Sequence, residues 1–119
     1  MMSTTFNLSI IAGETRVVVV TLTDQDGLAI DLTDAVIHYH AALPTPMVKT
    51  NAVNGGITIT DALGGEFEIA LEQTDTIGVT RATTVQHECK VLLASGDVVV
   101  AFTGKLAVGV SLIGELPPE

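Results

Sequence analysis

Residues 83–112 read TTVQHECKVLLASGDVVVAFTGKLAVGVSL, and their alternation decides the fold class. Val85, His87, Cys89, Val91 and Leu93 share one side of an extended chain, while Gln86, Glu88, Lys90 and Leu92 share the other. Ser95-Gly96-Asp97 is turn chemistry. After it Val98, Val100, Phe102, Leu106, Val108, Val110 and Leu112 hold one parity, with Gly104 as the single gap and the expected bulge. A period of two over this length belongs to half-buried strands.

The same period runs outward through the chain. Phe6, Leu8 and Ile10 form a first strand ending at Ala12-Gly13, and Val18, Val20 and Leu22 a second, closed by Asp24-Gln25-Asp26-Gly27. Leu28 to Asp31 is a short extended piece. Ala35, Ile37, Tyr39, Ala41 and Leu43 then face one way, and Val36, His38, His40 and Ala42 the other, until Pro44 and Pro46 end the strand. Met47 to Val53 reads as a short edge strand, and Asn54-Gly55-Gly56 as a hairpin turn that accepts positive φ. Ile57 and Ile59, then Phe67, Ile69 and Leu71 between Glu66, Glu68 and Glu72, give two more strands around a turn at 61–65. Residues 73–80 lack a period and read as a crossing loop with one helical turn. The expected inward sets begin at Phe6, Val18, Ile37, Phe67, Val85 and Val98.

Composition agrees and excludes. The 119 residues include 16 Thr, 15 Val and 9 Ile, so a third are β-branched and suit a pleated sheet. Only 16% are charged, against 47% hydrophobic, which separates the chain from disordered sequences. Five basic against 14 acidic residues give a net charge of −9, the wrong sign for displacing phosphate counterions, so no nucleic acid is expected. No apolar run approaches a membrane span, and Met1 to Gly13 lacks the basic start of a secretory signal. A single cysteine, Cys89, forbids an internal disulfide and fits a reducing compartment. The expectation is one all-β domain over 1–119, with its core in 6–113 and a frayed tail over 114–119. Seven or eight short strands at spacings near ten residues point to a two-sheet sandwich or a barrel, and the expectation is a two-sheet sandwich of seven to eight antiparallel strands.

Few residues carry chemistry. His38 and His40 share the polar face of their strand, and Glu88 joins them if the strands 35–43 and 83–94 are neighbours. Two His and a carboxylate are transition-metal ligand types, but a solvated sheet face is the expected reading, and no metal or other cofactor is assigned. His87 and Cys89 have inward parity. On one strand, i and i+2 side chains sit roughly 6–7 Å apart, too far for a Cys-His catalytic pair. Asp24, Asp26, Asp31 and Asp34 crowd one loop without the spaced ligands and closing Glu of a calcium loop. Asp before Gly is ordinary turn chemistry. No catalytic residues are assigned, and the expectation is not an enzyme. Val17 and Val19 face outward if Val18 and Val20 face the core, leaving an apolar strip of contact type. That strand is either an exposed contact or a central strand covered by the chain's own loops. The uncharged first ten residues are free to pair with another copy.

The order of signals is also informative. Ile-Ile-Ala-Gly-Glu-Thr (10–15), Thr-Asp-Gln-Asp-Gly (23–27), Asp-Leu-Thr-Asp-Ala (31–35), Gly-Gly-Ile-Thr-Ile (55–59), Gly-Gly-Glu-Phe-Glu-Ile-Ala-Leu (64–71), Gln-Thr-Asp-Thr-Ile (73–77), Ser-Gly-Asp-Val (95–98) and Thr-Gly-Lys-Leu-Ala-Val (103–108) follow one another. This succession resembles the immunoglobulin-like β-sandwich proteins of tailed bacteriophages and prophages, notably the N-terminal domain of baseplate upper proteins. The resemblance spans residues 6–113 and implies an immunoglobulin-like fold, with the position of His87 commonly aromatic. It implies a structural virion protein, tail- or baseplate-associated, made in the bacterial host cytoplasm, partnered by other virion proteins and forming a homo-oligomer. The long C-terminal extension of baseplate proteins does not follow here, which keeps a neck or capsid-decorating role in view. A host-receptor or carbohydrate-binding module is the rival; it is weakened by aromatics of only 3%, with Tyr39 at inward parity.

Overall fold

Alternating β-branched segments separated by Gly-, Asp- and Pro-containing turns fold into strands that run the length of the chain. The computed structural model describes residues 4–110. Among them are β1 (Thr4–Thr5), β2 (Leu8–Ile11), β3 (Arg16–Thr21), β4 (Val36–Ala41), β5 (Met47–Thr50), β6 (Ile57–Asp61), β7 (Glu66–Leu71), the single helical turn α1 (Gln73–Thr76), β8 (Thr83–Leu92) and β9 (Val98–Gly109). One sheet has the order β1-β9-β8-β4-β5, with β2 continuing β1 along β9; the other is β3-β7-β6. The predicted neighbours 35–43 and 83–94 do pair, and Met47–Thr50 is an edge strand. The all-β, two-sheet prediction agrees with this arrangement. The tail over 114–119 and the inward assignment of Leu112 lie outside the described residues.

Apolar parity sets the core. Ile37, Tyr39 and Ala41 of β4, Phe67, Ile69 and Leu71 of β7, and Cys89 and Val91 of β8 are all buried, facing one another between the sheets. Removing that apolar surface from water is the main stabilising term.

Three expectations are corrected. The strands are not all antiparallel: β1 and β2 run parallel to β9, Thr4 opposite Phe102 and Ile11 opposite Gly109. The first and last strands share no local connection, so no turn dictates their relative direction. The uncharged N-terminal segment pairs with β9 of its own chain from Thr4 to Ile11 and forms an edge of the larger sheet. Secondly, Asn54-Gly55-Gly56 closes no hairpin. Asn54 (φ 62°) and Gly56 (φ 91°) take the expected positive φ, but the turn carries the chain from β5 in one sheet to β6 in the other.

The third correction concerns the last strand. Cys89 lies opposite Phe102 while Lys90 lies opposite Val100, so Ala101 is the extra, bulged residue. The bulge inverts the parity of everything before it. Val98, 62% exposed, faces outward instead of inward, Val99 takes the inward place opposite the buried Val91, and half-buried Val100 lies opposite Lys90 at the rim. Gly104 is no bulge. A Cβ there would stand 2.0 Å from the Phe6 carbonyl oxygen, so the absent side chain is what lets the first strand lie against β9.

One ion pair ties the layers at the far side. Lys49 points inward from β5, and its Nζ lies 2.7 Å from Oδ2 of Asp75 in α1, both side chains being largely buried. The same carboxylate oxygen accepts the Glu72 amide at 2.7 Å, completing a capping box. The Lys49 stem passes over Gly56, where a Cβ would meet its Cδ at 2.7 Å. Alternation carries no signal for this pair, because Asp75 lies in the aperiodic stretch 73–80.

Two substitutions test these contacts. Gly104→Ala should lower the unfolding free energy by about 3 kcal/mol, as overpacking against backbone does, and should speed hydrogen exchange selectively in Leu8–Ile11. Lys49→Ala, which strands a buried carboxylate, should cost about 3 kcal/mol. Denaturant titration at neutral pH measures both, with an unchanged m-value expected.

Candidate interaction site

The edge of the smaller sheet carries the Val17 and Val19 candidates. Among the described residues β3 pairs with β7 alone, Val17 opposite Ala70 and Val19 opposite Glu68. Strand 15–23 is thus an edge strand and not a central, covered one. Val17 and Val19 are each 56% exposed, while Val18, Val20 and Leu22 turn toward the core. The Leu22 amide donates to the Gly65 carbonyl at 2.8 Å, which fixes the phase of the ladder. Even-numbered residues bond to β7, so the amides and carbonyls of Val17, Val19 and Thr21 point away from the sheet. Beside this edge lies an open slot of about 210 Å³, lined by Phe6, Val18, Val20, Leu22, Val100 and Phe102 among others. At the start of the strand, Glu14 accepts the Ile11 amide and grips Arg16 through Nε at 3.1 Å. These contacts hold its carboxyl below the usual range, the Ile11 amide first.

The large sheet brings together the residues of the histidine candidate. His40 lies opposite Glu88 and His38 opposite Lys90 on the outer face. They line a shallow hollow, and the two imidazole centroids are 6.3 Å apart. Lys90 Nζ sits 3.7 Å from Glu88, both half-exposed, so the carboxylate already faces a cation. Among the described residues no three His, Cys, Asp or Glu side chains converge as a metal set. In the acidic loop, Asp24 Oδ1 accepts the amides of Asp26 and Leu28 at 2.9 and 3.0 Å. Asp31 is likewise engaged: the Thr33 hydroxyl and then its amide hold the carboxyl below its ordinary range. These aspartates shape turns.

His87 is buried and joins three parts of the fold. Its Nε2 lies 2.6 Å from the Phe6 carbonyl, which can only accept, so Nε2 carries the proton. Nδ1 then accepts from the Tyr39 hydroxyl at 2.9 Å. Phe6 stacks on the imidazole and meets Phe102 edge-on. The inward, structural assignment of His87 therefore acquires partners that parity could not supply, because they come from 48 and 81 residues away. Cys89 is buried beside it. Desolvation, aided by the Glu88 charge, pushes its thiol up to about 12, far from a nucleophile's range. Burial also raises the Tyr39 hydroxyl.

Sequence reading missed one patch. Val36, Leu92 and Val98 lie in one cross-strand row on the outer face, each more than 40% exposed. Val36 and Leu92 had outward parity; the Ala101 bulge hid Val98.

No family profile matches this sequence, and no curated protein matches it. Solved structures do. The N-terminal domain of phage TP901-1 ORF48 superposes with a TM-score of 0.51 at 8% identity, covering 93% of this chain and 90% of that one. The shared feature is the fold.

Two alkaline effects follow from Cys89. A thiol whose folded value is raised contributes stability that is complete below the ordinary value of 9.0 and is lost as pH climbs toward about 12. Unfolding free energy should fall above pH 9 by up to about 1.4 kcal/mol per pH unit per group, and Cys89→Ala should flatten the slope, leaving the share of Tyr39. At pH 8 a thiol reagent should leave the native chain unmodified and label one cysteine after denaturation.

Proposed function

We propose that this chain is a non-enzymatic structural subunit of a bacteriophage particle, tail- or baseplate-associated, which acts by docking on other virion proteins. The observation that carries this reading is the fold shared with a phage protein's N-terminal domain over nearly the whole of both chains. We also read the sandwich as immunoglobulin-like. The order β1-β9-β8-β4-β5 against β3-β7-β6, with the first ribbon parallel to the last strand, supports that reading.

The surfaces support contact rather than catalysis or sugar binding. Tyr39, the one tyrosine, is 2% exposed and bonded to His87, so it offers no stacking platform. Among the exposed apolar features, the β3 edge with Val17 and Val19 and the row Val36, Leu92 and Val98 each form a contiguous strip on a strand or across strands. The row serves a homo-oligomer, and the β3 edge an adaptor contact to a larger ring. The net charge of −9 keeps the free subunit soluble before assembly. Neck and capsid-decorating positions use the same surfaces.

Light scattering of the purified chain, with immunoblotting of purified phage particles, tests the proposal. The expected result is a closed oligomer or a stable complex with virion proteins, together with signal in intact particles. A strictly monomeric chain at high concentration that is absent from particles overturns it.

A further inference from the structure

We infer that β3 is a strand-addition site, taking an extended segment of a partner protein in which apolar residues alternate with Lys or Arg. This deepens the assembly reading and rests on it for the partner's origin.

The bonding comes first. Val17, Val19 and Thr21 turn their amides and carbonyls off the sheet, and among the described residues nothing pairs with them. Other edges are blunted, as natural sheets require. β5 follows Pro44 and Pro46 and points Lys49 inward. β6 is irregular between Ile59 and Asp61. The β1–β2 ribbon is interrupted at Phe6-Asn7, where Asn7 Oδ1 accepts the Lys105 amide. β3 has no such device from Val17 to Thr21. An added strand would satisfy these groups, as in known strand-addition complexes.

The side chains of the segment follow from its two faces. Inward ones would enter the slot of about 210 Å³ beside Phe6, Val18, Val20 and Phe102, which suits small aliphatic groups. Outward ones would lie against Val17 and Val19, one strand away from Glu68 and Glu66, which stand opposite Val19 and Thr21. Neither glutamate has an ion pair among the described residues. Strands are spaced about 4.8 Å apart, so a Lys or Arg reaches across Val19 to Glu68. A second copy is the poorer occupant, since it brings a net charge of −9 against −9.

Isotope-labelled full chain titrated with a short peptide alternating Lys and Val tests this, with a Glu-for-Lys peptide and a peptide N-methylated on alternate amides as comparisons. The Lys-Val peptide should shift and protect the amides of Val17, Val19 and Thr21, and lose affinity with added salt. The comparison peptides should not bind. Val19→Lys should weaken binding roughly tenfold, about 1.4 kcal/mol, while leaving the melting temperature within a few degrees. No amide shifts, equal binding of the acidic or N-methylated peptide, or concentration-dependent self-pairing through Val17 and Val19 would each overturn the inference. Failure here leaves the particle immunoblot to judge the virion role separately.

Discussion

The fold turns on the place where the Phe6 carbonyl meets the last strand. That oxygen accepts from His87 Nε2 at 2.6 Å and lies over Gly104, the position whose lack of a Cβ permits the approach. The Phe6 amide donates back to the Thr103 carbonyl at 2.9 Å. A buried carbonyl left without a donor costs about 1–3 kcal/mol, so the imidazole and the glycine act as one constraint. Through Nδ1 the same ring reaches Tyr39, so β1, β2, β9, β8 and β4 are bound by a chain of two hydrogen bonds and a cluster of aromatic rings.

The constraint has a consequence on the other side of the molecule. By drawing residues 4–11 onto β9, it removes the segment that would otherwise be available to cover β3. Among the described residues the edge of the smaller sheet keeps bare backbone, and the slot beside it opens between Phe6 on one wall and Val18 and Val20 on the other. An exposed strand edge and the tight burial of the first strand are thus two outcomes of one topological choice.

The sequence made legible what depends on local alternation. The inward sets of β4, β7 and β8, the shared outer face of His38, His40 and Glu88, and the outward Val17 and Val19 all follow from a period of two. What stayed hidden depends on pairings between distant segments. The parallel course of β1 and β2 has no turn to announce it. Gly104 looked like a gap because its partner, Phe6, lies at the opposite end of the chain. The Ala101 bulge was invisible because Val98, Val99 and Val100 are identical side chains, and a run of valines carries no parity of its own. Met47 to Val53 read as a short edge strand with no partner for Lys49; only the position of α1 gives it Asp75.

The charge of the chain acquires meaning at the bare edge. A strand reading Arg-Val-Val-Val-Val-Thr, open along one side, is the pattern that templates self-association. Natural sheets suppress this locally, with a lysine, a proline or a bulge on the strand itself, and β3 has none between Val17 and Thr21. Here the suppression is global: a net charge of −9 on a small domain opposes approach of an identical molecule without altering the strand's own bonding capacity. A local lysine would have blocked every partner alike. Diffuse negative charge, with Glu66 and Glu68 beside the strand, discriminates by sign, repelling copies and admitting a cationic segment. The acidity that first served only to exclude nucleic acid is the feature that sets which segments an open edge can accept.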